Sequence, residues 1–171
     1  MVVVSGPAGS GRRRLVEQAR RRALLRGVRS ESGRCRMDHP GSAIGDILAS
    51  LLAAPARDEW RSRIAGDDAR VLLEMWPNLP LQRLSAGGGE RASRKDVVSA
   101  ATRALLRAAG TNGLVLLIQQ FEEVDALTAR IIDKLLNTTD DTVTLYVVVD
   151  DRWMSPRSSK AIAAAKKSGE A

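Results

Sequence analysis

The chain has 171 residues, 44% of them apolar, with 27 Lys or Arg against 20 Asp or Glu, for a formal charge of +7. That length suits one domain, and the apolar share excludes a wholly disordered chain. One cysteine (Cys35) and one histidine (His39) exclude an intramolecular disulfide framework, a cysteine-only zinc cluster and a histidine relay.

In chain order, the first element is an apolar run, Val2-Val3-Val4, followed at once by a glycine-rich turn. Arg13 to Arg26 then reads as a helix, with Leu15, Val16, Ala19, Ala23 and Leu24 on one side and arginines on the other. A weak strand is expected near Gly27-Val28-Arg29. Ile44, Ile47, Leu48, Leu51 and Leu52 mark a second helix, and Val71 to Trp76 a third that stops at Pro77. Ser85 to Ser93, with Gly87-Gly88-Gly89, reads as a loop. Ser93-Arg94-Lys95-Asp96 resembles a capping box ahead of Val97, Val98, Ala101, Leu105 and Ala108. After Gly110 and Gly113 come a strand, Leu114 to Ile118, and a helix opening after Asp125 with Leu127, Ile131, Ile132 and Leu135. A last strand, Leu145 to Val149, precedes a helix over 155–165.

None of the three apolar runs alternates with polar residues. That is the pattern of strands buried on both faces, as in a parallel sheet covered by helices. The expected fold is α/β: a three-layer α/β/α core with a mainly parallel sheet, which the family resemblance given below implies to be incomplete at both ends. Residues 1–153 form that core, and 154–171 a helical or disordered basic tail. The longest apolar runs, about five residues, fall far short of the ~18 that span a bilayer. With no signal peptide evident, a cytoplasmic protein without membrane contact is expected.

Residues 4–15, Val-Ser-Gly-Pro-Ala-Gly-Ser-Gly-Arg-Arg-Arg-Leu, follow the order strand, glycine turn, helix. Glycines let backbone N–H groups converge on an anion, and the helix N-terminus adds partial positive charge. Gly6 and Gly11 match the two glycines of the pattern G-x-x-x-x-G-K-[ST], with Gly9 and Ser10 between them. Arg12 stands at the lysine and Arg13 at the magnesium-binding hydroxyl. Arginine binds phosphate bidentately but is longer and planar, so Arg12 changes the fit. Arg13 repels Mg²⁺. Two readings stand: an anion cradle, or a glycine turn with no ligand.

The run Leu114 to Asp125 ends an apolar strand where a magnesium-holding aspartate belongs. Gln119 and Gln120 occupy the acidic places. Glu122 and Glu123 follow, and two readings stand for them: acids serving the site from an unusual register, or, preferred on that register, solvated loop acids. Both halves of a Mg²⁺ site are thus lost together. Arg13 facing neutral Gln119 suggests a cation standing in for the metal.

These motifs resemble the AAA-type P-loop ATPase domain, of the origin-recognition-like or STAND kind, found in bacterial multidomain regulators. The first motif rests on Val4, Gly6, Gly9, Gly11 and Leu15, the second on Leu116 to Asp125, and a third on Val147 to Arg152. The resemblance implies ATP or ADP as ligand, with Gly6, Gly9, Ser10, Gly11, Arg12, Arg13, Gln119 and Gln120 around it. It puts Arg152 where a γ-phosphate-sensing arginine lies; a surface salt bridge is the other reading. It also implies a covalently linked signalling or effector domain, or a separate protein partner.

Three functions follow. One is a nucleotide-binding regulatory domain with weak or absent hydrolysis and no catalytic residue. Another is a pseudo-ATPase scaffold whose basic helix meets an acidic partner. The third, nucleic-acid binding through the many arginines, is disfavoured by only three Trp, one Tyr and one Phe for base stacking. Cys35 and His39 have no further ligands nearby, so no metal site is expected. Trp60, Trp76 and Trp153 read as packing anchors.

Overall fold

The computed structural model describes residues 1–53, 64, 66–81, 91–138 and 142–168. Trp60 and most of the expected 85–93 loop lie outside the described residues. In chain order the elements are β1 (Val2–Gly6), α1 (Arg12–Leu25), β2 (Arg29–Arg34), α2 (Ser42–Ala53), α3 (Gly66–Met75), α4 (Arg94–Ala109), β3 (Leu114–Gln119), α5 (Ala126–Leu136), β4 (Val143–Asp150) and α6 (Pro156–Ser168). Single 3₁₀ turns follow β3 (Phe121–Glu123) and β4 (Asp151–Trp153).

The four strands form one parallel sheet in the order β1-β4-β3-β2. The chain crosses the sheet one way through α1 and returns through α2–α5. Right-handed crossovers therefore put α1 on one face and the other helices on the opposite face. The alternating side chains agree. Leu116, Ile118, Val147 and Val149 pack in the main core with α2, α4 and α5, whereas Leu117 and Val148 pack with Val16 of α1. The expected layered α/β/α arrangement is the one observed, with very unequal layers.

Local chemistry explains the helix ends. Ser93 and Asp96 form a reciprocal capping box at α4. The Asp125 carboxylate caps α5, accepting from the backbone of Leu127 at 2.8 Å and Thr128 at 3.0 Å. Each such cap contributes about 1 kcal/mol.

Four expectations need correction. Val2-Val3-Val4 is not buried on both faces: β1 ends the order of described strands, and Val2 is 43% exposed. In α1 only Val16 is buried, and Leu15 and Leu24 are exposed, because one helix alone covers that face. The weak strand lies further along, as β2, whose sequence Arg-Ser-Glu-Ser-Gly-Arg carries no strand signature. Its position is set by pairing with β3 and by α2: a Cβ on Gly33 would sit 1.9 Å from the Ala43 carbonyl oxygen, so only glycine permits the contact. Lastly, Trp153 is no anchor, at 72% exposed. Trp76 is one: its indole lies against Gly41 and Gly45 and donates to the Gly41 carbonyl at 3.2 Å. The C-terminal segment is helical as α6, and Ile162 joins the main core.

Candidate functional site

A parallel sheet brings all its strand ends to one edge, which is where open α/β folds bind ligands. Here the last residues of the four strands are Gly6, Arg34, Gln119 and Asp150. A cleft of about 510 Å³ opens there. It is lined by the loop after β1 (Ala8, Gly9, Gly11), by Arg12–Arg14 of α1, and by Arg34, Gln119, Gln120, Glu122, Val148 and Asp150.

The loop has the backbone its glycines allow. Gly9 and Gly11 have φ of +82° and +84°, a region costly for other residues. Gly6 has φ +151°, and a Cβ there would meet the Ser10 hydroxyl at 2.9 Å. The Ser10 N–H donates to the Pro7 carbonyl at 3.2 Å, closing the turn. Gly11 then starts α1 with no side-chain cap, so its first N–H groups stay open to an anion.

Arg12 does not lie free in the loop. Its guanidinium donates to the Val149 carbonyl and, at 3.3 Å, to Asp150 Oδ2. Arg12 and Asp150 side chains are only 14% and 10% exposed. Asp150 also accepts from Arg152: Nε to Oδ1 and Nη2 to Oδ2, both at 3.1 Å. Hydrogen bonds from Arg152, reinforced by the charge of Arg12, lower the Asp150 carboxyl pKa to about 2. Arg152 is held on Asp150 and is not among the residues lining the cleft.

The opposite wall is built from the ends of β2 and β3. Arg34 and Gln119 are register partners. The Arg34 Nε–H donates to Gln120 Oε1. Gln120 has φ +53°, the one described non-glycine residue with positive φ. Glu122 is not the solvated acid expected: its Oε2 accepts from the Asp150 N–H at 3.1 Å, tying the turn after β3 to the end of β4. Arg13 and Arg14 line the cleft with no ion pair or side-chain hydrogen bond among the described residues.

The structure thus brings Gly9, Gly11, Arg12, Arg13, Gln119 and Gln120 to one cleft, with Gly6 and Ser10 shaping the loop. Sequence reasoning did not assign Arg14, Arg34 or Asp150 to the site, and set Glu122 aside as a solvated loop acid. A signal for Arg34 and Asp150 existed, since each ends a strand of a parallel sheet, but β2 was not recognisable as one. Cys35, beyond the end of β2, is fully buried; burial, with nearby acids led by Asp125, pushes its thiol up to about 12. It therefore stays protonated and unreactive.

A parallel sheet, a glycine loop leading from β1 into a helix, and a polar cleft at the strand ends define a P-loop NTPase-like α/β domain. The comparison with known families names it further: residues 1–149 match the AAA ATPase domain, and the chain belongs to that family. It matches no curated protein and no solved structure. Membership implies nucleotide binding as a class property. Among the described residues no helix is long and apolar enough to cross a membrane.

Proposed function

We propose that this domain binds the phosphates of ATP or ADP without Mg²⁺, hydrolyses ATP slowly or not at all, and acts as a regulatory module whose state depends on occupancy. The observation that carries the reading is the charge of the cleft. Four arginines (Arg12, Arg13, Arg14, Arg34) face only two acids, and the positions expected to be acidic hold neutral Gln119 and Gln120. Guanidinium groups give phosphate directional, charge-assisted hydrogen bonds.

A divalent cation does not suit this donor set. Arg13 stands where a hydroxyl ligand belongs. Asp150 is neutralised by Arg12 and Arg152, and Glu122 is engaged by a backbone N–H. The regulatory output would reach a linked effector domain or a separate protein partner.

Calorimetric titration of the purified chain with ATP and ADP, in EDTA and in Mg²⁺, tests the reading. Binding of similar strength in both conditions supports it. Strict Mg²⁺ dependence, or robust turnover, overturns it. No heat from a folded sample would put the scaffold reading in its place.

A further inference from the structure

An anion cradle gains nothing from a carboxylate in its wall, yet Asp150 lines this cleft and holds the first arginine of the loop. Asp150 is the junction of four segments. Arg12 brings the phosphate loop to it, β4 ends on it, Glu122 receives its N–H, and Arg152 grips it from the Asp151–Trp153 turn. A phosphate in the cleft would compete with Asp150 for Arg12 and would also lie near the carboxylates of Asp150 and Glu122. Like charges at such range repel strongly in a partly desolvated cleft. Arg152 stays bonded to Asp150 in a bidentate pair, so a displaced carboxylate carries its turn along. That turn ends in Trp153, 72% exposed, with Met154 beside it at 40%.

We propose that Asp150 is an internal competitor for phosphate: it occupies Arg12 in the free protein, and a ligand that takes Arg12 releases the end of β4 and shifts the Trp153 turn. The inference rests on the anion-binding reading above. It adds a threshold, because a ligand must outcompete a carboxylate already in place. It also adds an output, because Trp153 and Met154 form the exposed apolar surface that moves.

The test titrates the full chain with ATP in EDTA, following heat and tryptophan fluorescence together. Asp150→Asn is expected to bind about tenfold more tightly than wild type, the order of one charge-assisted hydrogen bond returned to the ligand. Asp67→Asn, an exposed acid in the first turn of α3 and outside the cleft lining, is expected to bind as wild type does. The wild-type fluorescence change should vanish in Trp153→Phe and shrink in Asp150→Asn. If Asp150→Asn fails to fold, Asp150→Ser replaces it. Equal affinity of wild type and the Asp150 variant, or binding with no Trp153 signal, overturns this proposal and leaves the anion-binding reading standing. Binding by the variant alone supports full autoinhibition. No binding by either overturns both.

Discussion

Arg34, the last residue of β2, donates to the side-chain oxygen of Gln120, which lies just past the end of β3 in a left-handed backbone conformation. The contact bridges two strand ends across the cleft wall and requires the chain to turn sharply after Gln119. A left-handed conformation costs a non-glycine residue about 1–2 kcal/mol. Gln120→Gly should therefore keep or raise stability, by up to about 1 kcal/mol, after allowing for the extra freedom of glycine in the unfolded chain. Urea denaturation checks this; a loss above 1 kcal/mol would mean that the Arg34 contact outweighs the strain.

Arg13 has no partner among the described residues, so its removal disturbs no internal pair. Arg13→Ala should weaken ATP binding by about tenfold or more, as loss of a charge-assisted bond to phosphate does. The weakening should be the same in EDTA and in Mg²⁺. A variant that became Mg²⁺-dependent would show instead that Arg13 had been excluding a metal from an otherwise competent site.

Gly33 is required by space rather than by conformation. An alanine Cβ would collide with backbone at Ala43, and backbone at the start of a packed helix cannot swing aside as a side chain can. Gly33→Ala should cost more than about 2 kcal/mol, at the upper end of overpacking effects. A thermal midpoint within a few degrees of wild type would show that α2 can move away from β2 at little cost.

Asp68 of α3 is 5% exposed and joins α3 to α4 through Arg103 and, at 3.1 Å, Arg107. The hydrogen bond from Arg103 chiefly holds its carboxyl below the ordinary 3.8. A depressed folded pKa means stability that is present above the unfolded value and lost as pH falls through the folded one. The pair should therefore stabilise the domain at neutral pH and fail only below about pH 4. Asp68→Asn should cost about 1–3 kcal/mol at pH 7, less than a fully buried pair, because Arg103 is half exposed and Arg107 about a third exposed. The deficit should shrink on acidification; a constant deficit from pH 7 to pH 3 would assign the effect to packing.

Asp150 should stay ionised far into acid, since Arg152 and Arg12 hold it to about 2. Its carboxyl carbon shift, followed by NMR, should show a midpoint well below that of an ordinary aspartate. Ligand affinity should then carry no contribution from Asp150 titration between pH 5 and 8. A midpoint near 4 would mean that the arginines do not engage it in solution.

The strongest elements are legible in the sequence. Leu114–Ile118 and Leu145–Val149 are continuous apolar runs bounded by turns, and such runs have few alternatives to a buried parallel strand. The Ser93–Asp96 box and the Asp125 cap were legible because capping is local chemistry within three or four residues. The glycine loop was legible for the same reason: positive φ at Gly9 and Gly11 is a property of single residues. Arg12, Arg13, Gln119 and Gln120 could be placed at one cleft from sequence because each sits at a fixed offset from a strand end.

Long-range facts had no local signature. β2 is polar and exists because β3 offers it a ladder and Gly33 lets α2 come close. The exposure of Leu15 and Leu24 follows from how little of the sheet face α1 shares with other elements, which a helical pattern cannot report. Arg12 as a partner of Asp150 depends on two residues 138 positions apart meeting at adjacent strand ends. Sequence by itself determined the apolar strands β3 and β4, the caps and the loop, because these follow from local apolar patterning, sterics and hydrogen bonding. Only the tertiary structure decided which charges meet, because the distance between two side chains in a parallel sheet is set by strand order and register, and neither is written in the spacing of the residues.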